Sequence, residues 1–319
     1  MTRVAAVDCG TNSLRLLVAD VDPASGRVAD VVRRQEVVRL GEGVDRTGRI
    51  APQALARTLE VTRRYAAEAA ELGVTATRFA ATSASRDASN RDEFVAGVLD
   101  AIGVEPEVLT GAEEAELSFR GATSALAGRH PAPFLVCDLG GGSTELVLGA
   151  GSMTAAFSMD VGSVRLHERH AFGDPPTAEQ AAAACADIAE ALDEAALHVA
   201  LGDAATLVGV AGTVTTITAH ALRLDRYDSA RVDGAVLGVT QTLEACRSLL
   251  AMTRAERAAL PYVHPGRVDV IGAGALVWAD VVARVQDEVA SHGGELTGVV
   301  TSERDILDGL AMSAAGVQG

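Results

Sequence analysis

Asp8-Cys9-Gly10-Thr11-Asn12-Ser13, set between the apolar runs 3–9 and 14–20, returns 130 residues later as Asp138-Leu139-Gly140-Gly141-Gly142-Ser143. In both places an apolar strand ends in an Asp, a Gly follows two positions on and a Ser five positions on. The second copy is entered through Phe134-Leu135-Val136-Cys137 and left through Leu146-Val147-Leu148. Strand, small polar turn, strand is the pattern of a hairpin. A spacing of 130 residues lies far outside the roughly 20 to 50 residue period of a solenoid, so the recurring unit is a domain and the chain reads as a duplication.

Outward from the hairpins the pattern is mixed α/β. A helix is expected over 54–72, a strand over 78–81, a helix over 92–102 and a strand over 107–109. In the second half, Thr177-Ala178-Glu179-Gln180 behind two prolines is a capping-box start for a long Ala-rich helix ending near Gly202. A strand over 206–211, helices after Gly212 and Thr240, a capping box at Thr253 to Glu256, a helix over about 267–291 and a last helix after Ser302 complete the reading. Length favours two domains. We place them at 1–125 and 126–319, because Gly121, Gly128, Pro131 and Pro133 cluster near that boundary, and expect the last helix, about 303–316, to pack back on the first domain.

Composition narrows the function. The 319 residues are 48% hydrophobic and 22% charged, which is ordinary globular usage and excludes wholesale disorder. Nothing approaches a membrane span and the apolar run after Met1-Thr2-Arg3 is too short for a signal-peptide core, so a cytoplasmic location is expected. With 27 basic against 43 acidic residues and a net charge of -16, non-specific binding to nucleic acid or membrane is not expected. The sequence contains no lysine. A lysine-bearing P-loop is therefore excluded, and any phosphate must be met by arginine, backbone N–H groups or a metal ion. The four cysteines, Cys9, Cys137, Cys185 and Cys246, are widely spaced and read as buried reduced thiols.

Chemistry points to the hairpin tips. Glycines let a ligand approach the main chain, and consecutive turn N–H groups with a Ser or Thr hydroxyl can cradle phosphate. An Asp beside a phosphate is repulsive unless a divalent cation sits with them, and Mg²⁺ does this with few carboxylates and several waters. A third glycine turn, Val210-Ala211-Gly212-Thr213-Val214-Thr215-Thr216, leaves a strand and opens a helix, where an anion is favoured; an ordinary strand-to-helix connection would look the same. Ile271-Gly272-Ala273-Gly274-Ala275-Leu276 lacks the third glycine of a dinucleotide fingerprint. His167-Glu168-Arg169-His170 spaces its histidines by three rather than four and reads as helix surface.

Five segments in order resemble those of exopolyphosphatases and guanosine pentaphosphate phosphohydrolases. They are Asp8 to Ser13, Ala81-Thr82-Ser83-Ala84-Ser85-Arg86-Asp87-Ala88, Thr110-Gly111-Ala112-Glu113-Glu114-Ala115, Asp138 to Glu145, and Gly212-Thr213-Val214-Thr215-Thr216. The resemblance spans nearly the whole chain. It implies an α/β fold of two duplicated ribonuclease-H-like domains, as in the actin, sugar-kinase and chaperone-ATPase superfamily, with a cleft between them. It also implies hydrolysis of the terminal phosphoanhydride of inorganic polyphosphate, or of guanosine pentaphosphate, with Mg²⁺ or alternatively Mn²⁺. A homodimer is common in that family.

Carried over by residue, the resemblance makes Glu114 the base for the attacking water and Arg86 the phosphate-binding arginine. Asp138 and Glu145 become the acidic residues of the metal and water site, with Asp8 as a further metal ligand. Asn12, Ser13, Gly141, Gly142, Ser143 and Thr213 become phosphate contacts. From spacing alone, Glu113-Glu114 reads equally as a solvated helix face and Arg86-Asp87 as a surface ion pair. The segment Arg304-Asp305-Ile306-Leu307-Asp308-Gly309-Leu310 departs from the family pattern by lacking an arginine in register. The resemblance is to the short, two-domain members, which carries an expectation of weaker processivity on long polyphosphate. To offset the acidic surface, Arg86 and also Arg15, Arg120 or Arg165 are expected near the substrate. A phosphate sensor without turnover and an actin-like filament protein are the readings from other classes.

Overall fold

The computed structural model describes residues 1–126 and 128–317. They group into two units, Met1–Gly121 with Asp305–Gly319, and Ala122–Arg304. Residues 122–125 fall in the second unit and the last helix in the first.

The first unit contains β1 (Thr2–Cys9), β2 (Ser13–Val21), β3 (Val28–Val37), α1 (Val44–Thr47), α2 (Pro52–Glu71), β4 (Ala76–Ala81), α3 (Ser83–Asp87), α4 (Arg91–Ile102), β5 (Glu107–Val108) and most of α5 (Gly111–Thr123). The second contains β6 (Phe134–Leu139), β7 (Thr144–Gly149), β8 (Met153–Met159), α6 (Ser163–Arg169), α7 (Ala178–His198), β9 (Thr206–Val210), α8 (Ala211–Ala221), α9 (Ser229–Val232), β10 (Val236–Gly238), α10 (Val239–Ala251), α11 (Arg254–Ala258), α12 (Ile271–Ser291) and β11 (Gly298–Thr301). The last helix, α13 (Ile306–Ala314), returns to the first unit.

The two sheets have one topology. In the first unit the order is β3-β2-β1-β4-β5; in the second it is β8-β7-β6-β9-β11, with β10 added antiparallel at the edge. The hairpin strands pair antiparallel and the central strand pairs parallel with its next neighbour in both. The register repeats as well: Asp8 faces Arg15 across the first hairpin and Asp138 faces Glu145 across the second. Even the bulge recurs at the same offset, between Val18 and Ala19 and between Leu148 and Gly149.

Strand alternation sorts the core of the first unit to two faces. Ala5, Val7 and Cys9 with Leu14, Leu16 and Val18 pack under α2 and α4, against Val61, Tyr65, Phe94 and Val98. Val4 and Ala6 with Leu17 and Ala19 meet Ile306, Leu307, Leu310 and Ala311 of α13. Full burial of such aliphatic side chains is worth roughly 1.5–3 kcal/mol each, ample to hold a nine-residue helix. Gly309 permits the approach, since a Cβ there would run into the Leu117 carbonyl. In the second unit Leu135, Cys137, Leu139, Leu146 and Leu148 pack with Ile188 and Leu192 of α7 and with Trp278, Val281 and Val285 of α12.

The capping boxes at Thr177 with Gln180 and at Thr253 with Glu256 form as expected. The long helix near residue 267 begins instead at Ile271, because Pro265–Arg267 makes a separate 3₁₀ turn in which His264 Nδ1 accepts from Gly266 N. Strands β3, β8, β10 and β11 are not evident from the sequence. β3 carries Asp30, Arg33, Arg34 and Glu36 on an edge, and β10 and β11 have three and four residues, so alternation in sequence is weak. Among the described residues no helix is long and apolar enough to cross a membrane.

Candidate active site

In the first unit, β1 runs into the turn Gly10–Asn12 and Gly10 N donates to Ser13 O at 3.0 Å. The outer carbonyls of the turn are held from one side. Gly41 N donates to Thr11 O (2.8 Å), and Val38 N and Arg39 N both donate to Asn12 O (3.0 and 2.9 Å). Across a trans peptide a carbonyl and the following N–H point in opposite directions. The N–H groups of Asn12 and Ser13 therefore face away from the 38–41 segment, the arrangement of an anion nest. Arg39 holds a left-handed backbone at φ 50°, an uncommon conformation for a side-chain-bearing residue, kept there by these bonds. The Thr11 hydroxyl is used internally, 2.8 Å from Ser83 Oγ.

Asp8 is the last residue but one of β1, on the face that α13 covers. Its Oδ2 accepts from Arg15 Nε (2.8 Å) and Nη2 (2.7 Å), and Arg15 Nη1 also bonds to Asp305, the N-cap of α13. Asp8 Oδ1 is buried and has no hydrogen-bond partner among the described residues. Burial pushes the Asp8 carboxyl above the usual range, with Arg15 opposing. Arg15 is thus committed within this network, and Arg120 Nη2 donates to the Val317 carbonyl at 3.0 Å.

Glu114 and Arg86 are brought together. Thr110 and Glu113 form a reciprocal cap: Thr110 N and Oγ1 each donate to a Glu113 oxygen at 2.8 Å, and Glu113 N donates to Thr110 Oγ1 at 3.3 Å. Those backbone and hydroxyl donors hold the exposed Glu113 carboxyl below the usual range. The cap occupies Glu113 at the surface and turns its neighbour inward, so that Glu114 is 9% exposed. Arg86, at the end of α3, donates from Nη1 to Glu114 Oε2 (3.2 Å) and to the Leu109 carbonyl (2.9 Å). The solvated-face reading of Glu113-Glu114 describes Glu113 and not the buried Glu114.

In the second unit the turn Gly140–Gly142 repeats the device. Gly140 N donates to Ser143 O at 3.0 Å, as Gly10 does to Ser13. Ser163 N donates to Gly140 O (3.1 Å), Val164 N and Arg165 N to Gly141 O (2.8 and 3.0 Å), and Arg165 Nε to Gly142 O (2.6 Å). All three carbonyls are tied to the start of α6, and the N–H groups of Gly141, Gly142 and Ser143 face the other way. Gly162 makes this approach feasible, because a Cβ there would lie 2.6 Å from Gly141 O.

Asp138 and Glu145, 7% and 1% exposed, are direct cross-strand partners, so their side chains leave the same face of the sheet. Glu145 Oε1 accepts from Ser158 Oγ at 2.7 Å. The first unit sets a guanidinium opposite its Asp; the second sets a carboxyl there. Two carboxylates in that register suit a hard divalent cation that takes one or two protein oxygens and keeps waters. Among the described residues no three His, Cys, Asp or Glu side chains gather as a metal-binding group, so this fit rests on the pair alone. Burial raises the Cys137 thiol well above its usual range, the two carboxyls adding to the effect, and burial does the same to Cys9 beside Asp8. Neither thiol is poised to react.

Thr213 opens α8 and is 5% exposed. The turn before it holds Ala211 at φ 68°. Two glycines explain its packing: the Arg267 guanidinium occupies the space that a Gly212 Cβ would need, and a Cβ on Gly274 would lie 2.5 Å from Thr213 Cγ2. The segment that half-matched a dinucleotide fingerprint is therefore the first turn of α12, glycine-rich for close packing. Sequence reasoning does not single out Arg267, which only its place beyond a Pro-Gly pair marks.

A duplicated α/β sheet with a tied-back glycine turn in each copy, preceded in each by a buried aspartate, is an arrangement suited to a phosphate-handling protein. The Ppx/GppA phosphatase family matches residues 17–299, and the chain belongs to it. It is 48% identical to exopolyphosphatase 2 of Mycobacterium tuberculosis over 99% of both chains. The crystal structure of an exopolyphosphatase-like protein superposes with a TM-score of 0.93 at 47% identity, covering 97% of each chain. The Ppx/GppA enzyme of Aquifex aeolicus superposes with a TM-score of 0.79 at 27% identity, covering 98% of this chain and 99% of its own.

Proposed function

We propose that this chain is a metal-dependent exopolyphosphatase, which hydrolyses the terminal phosphoanhydride of inorganic polyphosphate and releases orthophosphate. The observation that carries the reading is the pair of glycine turns whose carbonyls are tied back, each following a strand with a buried aspartate one residue before its end. The likeness to a full-length exopolyphosphatase supports the substrate class.

In this reading Glu114 accepts a proton from the attacking water as the water oxygen bonds to the terminal phosphorus. The bridging P–O bond breaks, leaving orthophosphate and a chain one phosphate shorter. Arg86 aims the Glu114 carboxylate and offsets charge on the terminal phosphate. Asn12, Ser13, Gly141, Gly142, Ser143 and Thr213 hold phosphate oxygens through N–H and hydroxyl groups. Asp138 and Glu145 would hold Mg²⁺, or Mn²⁺ in its place, with Asp8, whose Oδ1 has no hydrogen-bond partner among the described residues, as the further ligand. The bound ion supplies neutralisation of phosphate charge.

The test is orthophosphate release with Mg²⁺ from short polyphosphate, long polyphosphate and guanosine pentaphosphate, with Glu114→Gln beside the wild type. Release from polyphosphate that is lost in the variant is expected. Guanosine pentaphosphate ends in the same phosphoanhydride, and a preference for it would make the chain a pentaphosphate 5'-phosphatase instead. No release from any of the three would leave a phosphate-binding protein without turnover.

A further inference from the structure

The two glycine turns are built alike but held differently. In the first, every tied carbonyl is bonded by backbone: Gly41 N on Thr11 O, and Val38 N and Arg39 N on Asn12 O. In the second, Gly140 O and Gly141 O are likewise met by backbone N–H groups of 163–165, but Gly142 O is met by a side chain, Arg165 Nε at 2.6 Å. The Gly142–Ser143 peptide has glycine on one side and no Cβ to limit its rotation there. The side-chain donor that holds its carbonyl, opposite the Ser143 N–H, is the guanidinium.

We propose that Arg165 is a positioning residue for phosphate binding, which fixes the Gly142–Ser143 peptide so that the Ser143 N–H faces the substrate. The inference rests on the exopolyphosphatase reading. Three features fit Arg165 to this role. Its side chain is 13% exposed, its backbone N–H is anchored on Gly141 O, and Asp160 Oδ1 stands 3.8 Å from Nη2. The planar fork can donate from Nε along one direction while its charge remains in the turn. A lysine keeps the charge but has no donor at the Nε position, so lysine separates geometry from field.

Arg165→Met and Arg165→Lys are to be compared with wild type for KM and kcat on polyphosphate, and for tripolyphosphate binding by calorimetry in a Glu114→Gln background. A misdirected N–H on an anion should raise KM, and weaken binding, about ten- to a hundredfold in both variants, with kcat within about threefold and a cooperative melt retained. Recovery of wild-type KM by lysine alone would reduce Arg165 to a source of positive potential and overturn the proposal. Unchanged KM and binding in both variants would overturn it too, as would loss of the folded state in both, which would make the residue structural. If the wild type releases phosphate and the variants match it, this inference fails alone. If the wild type releases none, the function fails, and the calorimetry still judges Arg165; no tripolyphosphate binding by the wild type would end both.

Discussion

Replacing Glu145 by Gln should make the metal-free protein more stable while abolishing its metal dependence. Asp138 and Glu145 are directly opposed across β6 and β7 and are both buried. Such partners have Cβ atoms about 5 Å apart, and two like unit charges at that distance repel by about 3 kcal/mol at an effective dielectric of 20. Splaying of the side chains, the hydrogen bond from Ser158 Oγ to Glu145 Oε1 and the other partners of the two carboxyls reduce this, so a gain of about 1 kcal/mol is expected. Gln is isosteric and keeps an oxygen for Ser158, so packing is not the variable. The assay is urea unfolding at pH 8 with chelator and again with excess Mg²⁺. Wild type should be stabilised by Mg²⁺ and the variant should start higher and gain little. A variant that is less stable than wild type in chelator would mean that a protein cation already balances the pair, and the reasoning would fail.

Gly162→Ala should cost about 1–3 kcal/mol and lower kcat/KM, because its backbone is extended and tolerates alanine while the new Cβ strikes the Gly141 carbonyl; Gly151→Ala, with open space, should change neither. Equal melting and kinetics in the two variants would disprove the contact. Asp308 is fully buried and accepts from Arg33 Nη2 at 2.9 and 3.0 Å, so Asp308→Ala should destabilise by about 1–3 kcal/mol in urea unfolding, less than a fully buried pair because Arg33 is 31% exposed. A shift below about 0.5 kcal/mol would refute that. His220 is bonded to Tyr262 Oη (2.7 Å) and Ser248 Oγ (2.9 Å), and burial, aided by Arg223, lowers its pKa. A depressed histidine protonates on unfolding, so its contribution is complete above the unfolded pKa of about 6.5 and is lost as pH falls toward the folded value. Thermal melts from pH 8 to 5 should fall less steeply for His220→Gln than for wild type; parallel curves would exclude the residue as a source.

Much of the fold was legible because its decisive signals are local. Asp, Gly and Ser at fixed offsets between apolar runs mark a hairpin wherever they occur, and their return at Asp138 revealed the duplication. The capping boxes were readable for the same reason. Edge strands such as β3 were not, since an exposed charged strand carries no apolar alternation to detect. For the candidate site, residue types were legible and their use was not. Glu113 stands at capping-box spacing from Thr110, but that Glu114 is buried against Arg86 appears only in the fold.

By itself the sequence determined the duplicated α/β unit, the strand-end acids, the glycine turns and, through the absence of lysine, the restriction of phosphate binding to backbone, arginine and metal. These follow from steric preferences and periodicities that act over a few residues. Tertiary structure decided which carbonyls are tied back, that Arg165 rather than Arg15 or Arg120 holds a turn, and that Arg15 is shared with Asp305 at a sequence separation of 290. It also decided that the first unit gives way to the second after Gly121, inside α5. Those outcomes depend on burial and charge pairing between distant segments, and no local pattern encodes a partner that far along the chain.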